Sequence, residues 1–383
     1  MSICSISVYR VTLSLRVAFT TSFGTTTALT RPFVVVRTAD GLTGVGEVPT
    51  LNEPGYKAEC DSPAAFTSLK EFLLPSVAAH QRDRGPIESI DALRQSYGWV
   101  KGAVFAKSGI EAALWDIEAQ RAGKPLWQLW DGSRRSFTVG VSIGGKTVEQ
   151  VLELAENAAG LGYQRFKVKI WPGFDVQVVR ALRERFPDIM LQVDANSAYD
   201  HTSWTALKEI DQSDLLLIEQ PLFDDDIVLH SEISRELQTP VCLDESIHSL
   251  RDTEAAVGLW KRNDALRRLI INIKPPRVSG FSEAIAIARY CQGEGVRTWI
   301  GGMLDSAWGK AFNLNFNALD AIDLPGDHFS PSGAYFAQDV ATPALSAPDG
   351  VFSLGDGVST GLQFDWDAFD DLAELVFEQS FDV

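Results

Sequence analysis

The chain has 383 residues, 45% of them apolar and 22% charged, enough to bury a substantial core in one large barrel domain plus a smaller one. Its formal net charge of −17, with no long run of Lys or Arg, argues against a nucleic-acid surface, because attraction to phosphates needs clustered positive charge. Cys4, Cys60, Cys242 and Cys291 form no CxxC pair, and apolar runs such as "LLLI" at 215–218 are far too short for a membrane span, so the expectation is a cytoplasmic protein without disulfides or a membrane partner.

The first 60 or so residues alternate like strands. "FVVVRT" and "GVGEV" flank the turn "ADGLTG" at 39–44 and read as a hairpin. From Pro63 to Leu129 apolar residues recur at three- and four-residue intervals, and Gly123-Lys124-Pro125 marks a helix end. Residues 1–130 therefore read as an α+β capping domain. From Ser136 the texture changes to short apolar runs, "FTVGVSI", "RFKVKI", "MLQVDAN", "LLLIEQP", "PVCLDES", "LIINIKP" and "RTWIGGM", separated by amphipathic helical stretches, with "IDLPGD" at 322–327 as an eighth. Strands alternating with helices imply βαβ units, and eight of them close an α/β barrel of the triosephosphate-isomerase type over 131–328. The irregular tail 329–383 is expected to return to the capping domain.

Five consecutive runs end in a charge: Lys169, Asp194, Glu219, Asp244 and Lys274. The carboxyl ends of barrel strands converge on one mouth, where such folds keep their sites. Asp194, Glu219 and Asp244 follow each other at 25-residue steps (219 − 194 and 244 − 219), one βα unit per step. A single acid there is most simply a solvated strand end. Three in register repel unless a cation sits between them, and oxygen ligands without His or Cys favour Mg²⁺, with Mn²⁺ as the substitute. Lys169 and Lys274 flank the acidic strands; a metal and a second cation nearby disfavour the protonated amine, which suits a lysine that must accept a proton. Lys167 shares a face with Lys169 by strand alternation and is expected to lie deeper, supporting the field around Lys169.

These residues resemble the enolase superfamily, and a lysine pair with no His ending the seventh strand resembles its muconate-lactonizing-enzyme subgroup. "GYQRFKVKIWPGFDV", "LLLIEQPL", "TPVCLDESI", "NIKPPRVSG", "GGMLDSAWGKAFN" and "LPGD" are similar to o-succinylbenzoate synthases and N-acylamino acid racemases, over nearly the whole chain. The resemblance implies a (β/α)7β barrel with a cap built from the N-terminal segment and the C-terminal tail. It also implies Mg²⁺-dependent removal of the proton next to a carboxylate through an enediolate, a small-molecule carboxylate substrate and a homo-oligomer. Lys169 and Lys274 would be the acid/base pair; Asp194, Glu219 and Asp244 the metal ligands; Asn196 and Glu245 would orient the ligands or Lys274.

Phe19, Phe23 and "GTTTALT" at 24–30 resemble a mobile polar loop over the mouth, although by composition alone they read equally as a plain strand connection, and Tyr56 resembles part of a second capping loop. Gly302, Met303 and Asp305 complete the substrate contacts that the resemblance implies. The chain departs from the family at Pro276, Asp305, Trp308 and Lys310, and the Trp308 indole is expected to narrow the pocket. The five histidines read as surface or structural, His328 being the one exception in view. The alternatives are a dipeptide epimerase or a cycloisomerase; epimerases usually carry Asp-x-Asp at the eighth strand, which "IDLPGDHF" lacks.

Overall fold

The computed structural model describes residues 2–21, 24–331 and 333–381. Three antiparallel strands, β1 (Ile3–Thr21), β2 (Gly24–Thr38) and β3 (Thr43–Glu47), form a sheet whose other edge is the C-terminal strand Ala373–Ser380, paired with β1. The predicted hairpin is present, with Phe33 opposite Glu47 and Arg37 opposite Thr43. The segment 24–30 differs from expectation. It is the first part of β2, with Leu29 opposite Leu13 and Thr26 opposite Phe19, because a run of β-branched threonines favours extended pairing over a loop.

The helix Val104–Ala122 packs closely on this sheet. A Cβ on Gly46 would collide with the backbone of Gly109, and one on Gly109 with the Val48 side chain, so both glycines are needed for the approach. The helix ends as predicted at Gly123, whose φ of 63° is the left-handed conformation that glycine adopts without strain.

Seven parallel strands follow in sequence order: β4 (Val141–Ile143), β5 (Arg165–Lys169), β6 (Met190–Asp194), β7 (Ile218–Glu219), β8 (Val241–Leu243), β9 (Leu269–Ile273) and β10 (Arg297–Ile300). Four of the connecting helices start on side-chain caps, Thr147, Asp175, Asp226 and Ser249, each accepting a backbone N–H that the helix cannot satisfy. The architecture is a barrel of the triosephosphate-isomerase type under an N-terminal cap domain.

Two of the predicted runs behave differently. The first splits: Ser136–Thr138 pairs with Val351–Ser353, and only Val141–Ile143 joins the parallel sheet. "IDLPGD" forms no strand among the described residues, since Pro325 has no N–H to give. Instead Leu324 N donates to Thr298 O on β10, while Gly140 N donates to Gly326 O and Phe329 N to Gly140 O beside β4. One large apolar cluster runs from the barrel into the cap, taking in Val11, Leu29, Phe33, Val45 and Ala112, while a second lies within the cap, and Met303, from the loop after β10, joins that second cluster with residues such as Ile110 and Val48.

Candidate active site

Parallel register brings the strand-end charges to one level. Lys169 lies beside Asp194 and Asp194 beside Glu219; Asp244 follows β8 and Lys274 follows β9. Lys167, only 2% exposed, points inward and holds three acids: its Nζ is 2.8 Å from Asp194 Oδ2, 2.9 Å from Glu219 Oε2 and 3.1 Å from Asp327 Oδ2. Lys169 Nζ donates to the same Asp194 Oδ2 at 2.7 Å and to Asn196 Oδ1 at 2.6 Å. Lys274 Nζ donates to Asp244 Oδ2 at 2.9 Å, and the Asp244 Oδ1 atom accepts from both the Arg277 guanidinium and the Tyr56 hydroxyl.

A second layer lies below. Glu219 accepts from Gln192 Nε2 and Asn272 Nδ2, each at 2.8 Å, and Gln192 in turn accepts from Arg165. The buried Arg165 guanidinium sits 4.6 Å from the centroid of the Trp299 ring, whose π face offsets part of its desolvation. Gly140 makes this possible, because a Cβ there would collide with the Arg165 side chain.

Burial and neighbouring charge push the carboxyls of the site in opposite directions. Burial, reinforced by Asp194, pushes the Glu219 carboxyl up to about 7, and burial together with Asp244 pushes Glu245 up to about 8. Burial would raise Asp244 and Asp327 too, but Lys274 and Arg277 hold the first, and Lys167 and Arg165 the second, well below the usual carboxylate range. Lys167 stays charged against its own burial because Asp194, Asp327 and Glu219 surround it.

Above this layer opens a cleft enclosing about 720 Å³, its mouth included, between barrel and cap. Of the residues predicted from sequence, Phe19, Tyr56, Lys167, Lys169, Asn196, Lys274, Gly302, Met303 and Asp305 line it. Asp194, Glu219 and Asp244 lie behind the lysines, Glu245 is bonded to Asn196, and Phe23 falls outside the described residues. Asn196 and Glu245 brace Lys169 rather than Lys274: Asn196 Nδ2 donates to Glu245 Oε1 at 2.9 Å while its oxygen holds the Lys169 ammonium.

Trp308 corrects another expectation. Its indole donates to Val45 O at 2.8 Å and packs edge-on against Phe312 and Phe364, inside the cap–barrel junction and not in the cleft lining. Sequence reasoning missed Ser142, Leu304, Asp327 and Tyr335 as lining residues, and Arg277 as a partner of Asp244, while Thr26 belongs to the stretch expected over the mouth and His328 is the histidine that was excepted. Only Asp327 carried a usable signal, a charge ending the eighth run like the five before it. His230 is structural as expected: buried, it accepts from Leu222 N at 3.1 Å.

The donor set suits a hard divalent cation: carboxylate oxygens on three adjacent strands, no sulfur or imidazole among them, and a mutual repulsion that such an ion would relieve. The lysines hold those oxygens here, and among the described residues no three His, Cys, Asp or Glu side chains converge as a ready-made cage. Lys167 and Lys169 share one Asp194 oxygen, so a bound ion would compete with these ammoniums for it.

A capped α/β barrel with lysines and carboxylates gathered at the mouth beneath the cap has the layout of a barrel enzyme with its site at the carboxyl ends of the strands. Residues 4–130 match the model of the mandelate racemase / muconate lactonizing enzyme N-terminal domain, and residues 150–368 that of the enolase C-terminal domain-like family, so the chain belongs to the enolase superfamily. It is 38% identical over 354 residues to an o-succinylbenzoate synthase of Geobacillus stearothermophilus, covering 92% of this chain and 91% of that protein. An N-succinylamino acid racemase of Thermus thermophilus is 37% identical over 352 residues, covering 91% of each. A solved enolase-superfamily structure from Listeria innocua superposes with a TM-score of 0.89 at 32% identity, covering 100% of this chain and 99% of that one. Among the described residues no helix is long and apolar enough to cross a membrane.

Proposed function

We propose that the cleft is the active site of a Mg²⁺-dependent o-succinylbenzoate synthase, N-acylamino acid racemase, or enzyme of both activities. The observation that carries this reading is that Lys169 and Lys274 reach one cleft from strands separated by three others, and those three end in Asp194, Glu219 and Asp244. The three carboxylates would hold the divalent ion, which when bound supplies positive charge to the substrate carboxylate as its α-carbon loses a proton.

The remaining work falls to the chain itself. In racemisation Lys169 takes the α-proton from one face and Lys274 returns one on the other, each serving as base for one enantiomer. In dehydration Lys169 alone moves the proton from the α-carbon to the departing hydroxyl, and Lys274 stays protonated to stabilise the anionic form. Asn196 and Glu245 hold Lys169 in place, Lys167 stays on the buried acids, and the cap supplies Phe19, Leu51 and Tyr56 as a cover that limits water.

On the same reading, the bonds of 323–329 to both outer strands close a (β/α)7β barrel over residues 131–328, with 1–130 and 329–383 as the cap, and the protein assembles as a homo-oligomer. The test is incubation with N-succinyl amino acids in D₂O and, separately, with the cyclohexadiene precursor of o-succinylbenzoate, with Mg²⁺ and then with chelator. Metal-dependent α-deuteration or dehydration is expected; neither reaction at any metal concentration sinks the proposal.

A further inference from the structure

Four consecutive residues of one barrel loop, Gly302 to Asp305, face the cleft, and the barrel alone does not hold them. Leu304 has a φ of 56°, the left-handed region that a branched side chain seldom occupies unless its surroundings impose it. The surroundings here belong to the cap. Arg31 of β2 donates from Nη1 to Leu304 O at 3.1 Å and from Nη2 to Met303 O at 3.5 Å. Glu47 of β3 pairs with Arg31 at 2.6 Å and accepts from Ser306 N at 3.1 Å and from Ser306 Oγ at 2.6 Å. Gly309 leaves the room: a Cβ there would collide with the Glu47 carboxylate.

Both residues are buried, Arg31 wholly and Glu47 at 5% exposure, so the pair carries a desolvation penalty that makes it a poor device for stability alone. What it secures is geometry. Met303 packs into the cap core, and β2 also carries Thr26 into the lining of the same cleft. One hairpin thus contributes to the lining directly through Thr26 and indirectly through the loop it holds.

We infer that Arg31 and Glu47 are positioning residues which hold the Gly302–Asp305 loop and thereby decide which substrate side chains the cleft accepts; the substrate part of this rests on the proposed function. A second cap acid offers the contrast. Glu111, on the helix Val104–Ala122, accepts from Ser282 N at 2.7 Å in the first turn of the helix Phe281–Glu294, yet the residues 275–280 before that helix contribute nothing to the cleft lining. Glu111 ties cap to barrel without shaping the cleft.

The experiment compares wild type, Glu47→Gln, Glu47→Asp, Arg31→Lys and Glu111→Gln on N-succinyl-alanine and N-succinyl-phenylalanine. Glu47→Gln should change the ratio of kcat/KM for the two substrates by about tenfold, the scale on which pocket fit discriminates, through KM and with kcat for the smaller substrate nearly unchanged. Glu47→Asp should restore part of the ratio. Glu111→Gln should lower Tm and leave the ratio alone. Equal scaling of both substrates by Glu47→Gln, or a ratio shift from Glu111→Gln as large, overturns the inference; where Glu47→Gln does not fold, Arg31→Lys decides the same comparison. Hydrogen exchange judges the clamp without any substrate: the Ser306 amide should exchange faster in Glu47→Gln than in wild type, and unchanged protection refutes the clamp. A wild type inactive on every substrate would instead count against the proposed function, with the exchange result still deciding the clamp.

Discussion

Lys167→Met isolates the buried charge cluster from the chemistry above it. The substitution keeps the apolar stem against the Trp299 ring, 5.0 Å from the ammonium, and removes only the charge. Lys167 lies within 3.1 Å of three carboxylates and is 2% exposed, so nothing from solvent replaces it. Removing one partner of a buried ion pair costs roughly 3–5 kcal/mol, because the acids left behind are uncompensated. At roughly 2 °C per kcal/mol for a large domain, metal-free Lys167→Met should melt about 6–10 °C below wild type. Mg²⁺ should then stabilise the variant at lower concentration than wild type, since the ion competes with one ammonium for Asp194 instead of two; at a hundredfold excess over Kd the gain is about 2.7 kcal/mol. The assay is calorimetry across a Mg²⁺ titration with a chelator baseline. A variant melting within about 2 °C of wild type without metal, or parallel Mg²⁺ responses in the two proteins, would refute the reasoning.

Asp194→Ala, Glu219→Ala and Asp244→Ala should each abolish turnover while the fold persists by circular dichroism; near-normal turnover of any one at limiting Mg²⁺ rules out a three-carboxylate metal site. Lys169→Ala and Lys274→Ala should each stop racemisation yet still exchange the α-proton of one enantiomer, opposite in the two variants, and NMR showing exchange of both enantiomers by either variant contradicts the two-base assignment. Asp116, buried behind β3, accepts from Val45 N and Ser359 Oγ, and burial pushes its carboxyl up from 3.8 to about 6. The folded state therefore binds a proton that the unfolded state has lost between those values: this stability, about 3 kcal/mol, is full below pH 3.8 and disappears as pH rises through 6. Asp116→Asn should flatten that part of the urea-midpoint profile, and an unaltered slope disproves the assignment.

Much of the fold was legible because its elements have one dominant period. Alternation in β1 to β3 and the spacing of the barrel strands both express burial on a regular backbone. The misreadings fall where two signals compete. At 24–30, Thr and Gly suggested a loop, but pairing with β1 outweighed composition. At 322–327, apolar residues suggested a strand, but Pro325 and Gly326 leave two bonds to the one carbonyl of Thr298 and one from Gly140 N in place of a ladder.

The site was legible to the depth that strand geometry reaches. A residue at the end of a barrel strand has its direction dictated by the pleat and its level by the register, so Lys167, Lys169, Asp194 and Glu219 could be placed together from spacing alone. Arg277 and Leu304 sit on loops, where nothing periodic fixes direction, and their roles depend on chain far away in sequence: Ile247 O, which accepts from Arg277 Nε, and Arg31, which holds Leu304 O. Trp308 shows the same limit from the other side. Three residues beyond Asp305, it turns away from the cleft because Ser306 caps a new helix and Val45 offers its indole an acceptor. Chemistry carried by the strands is therefore readable from one chain, while selectivity carried by loops that a second domain holds becomes visible only when both domains are in place.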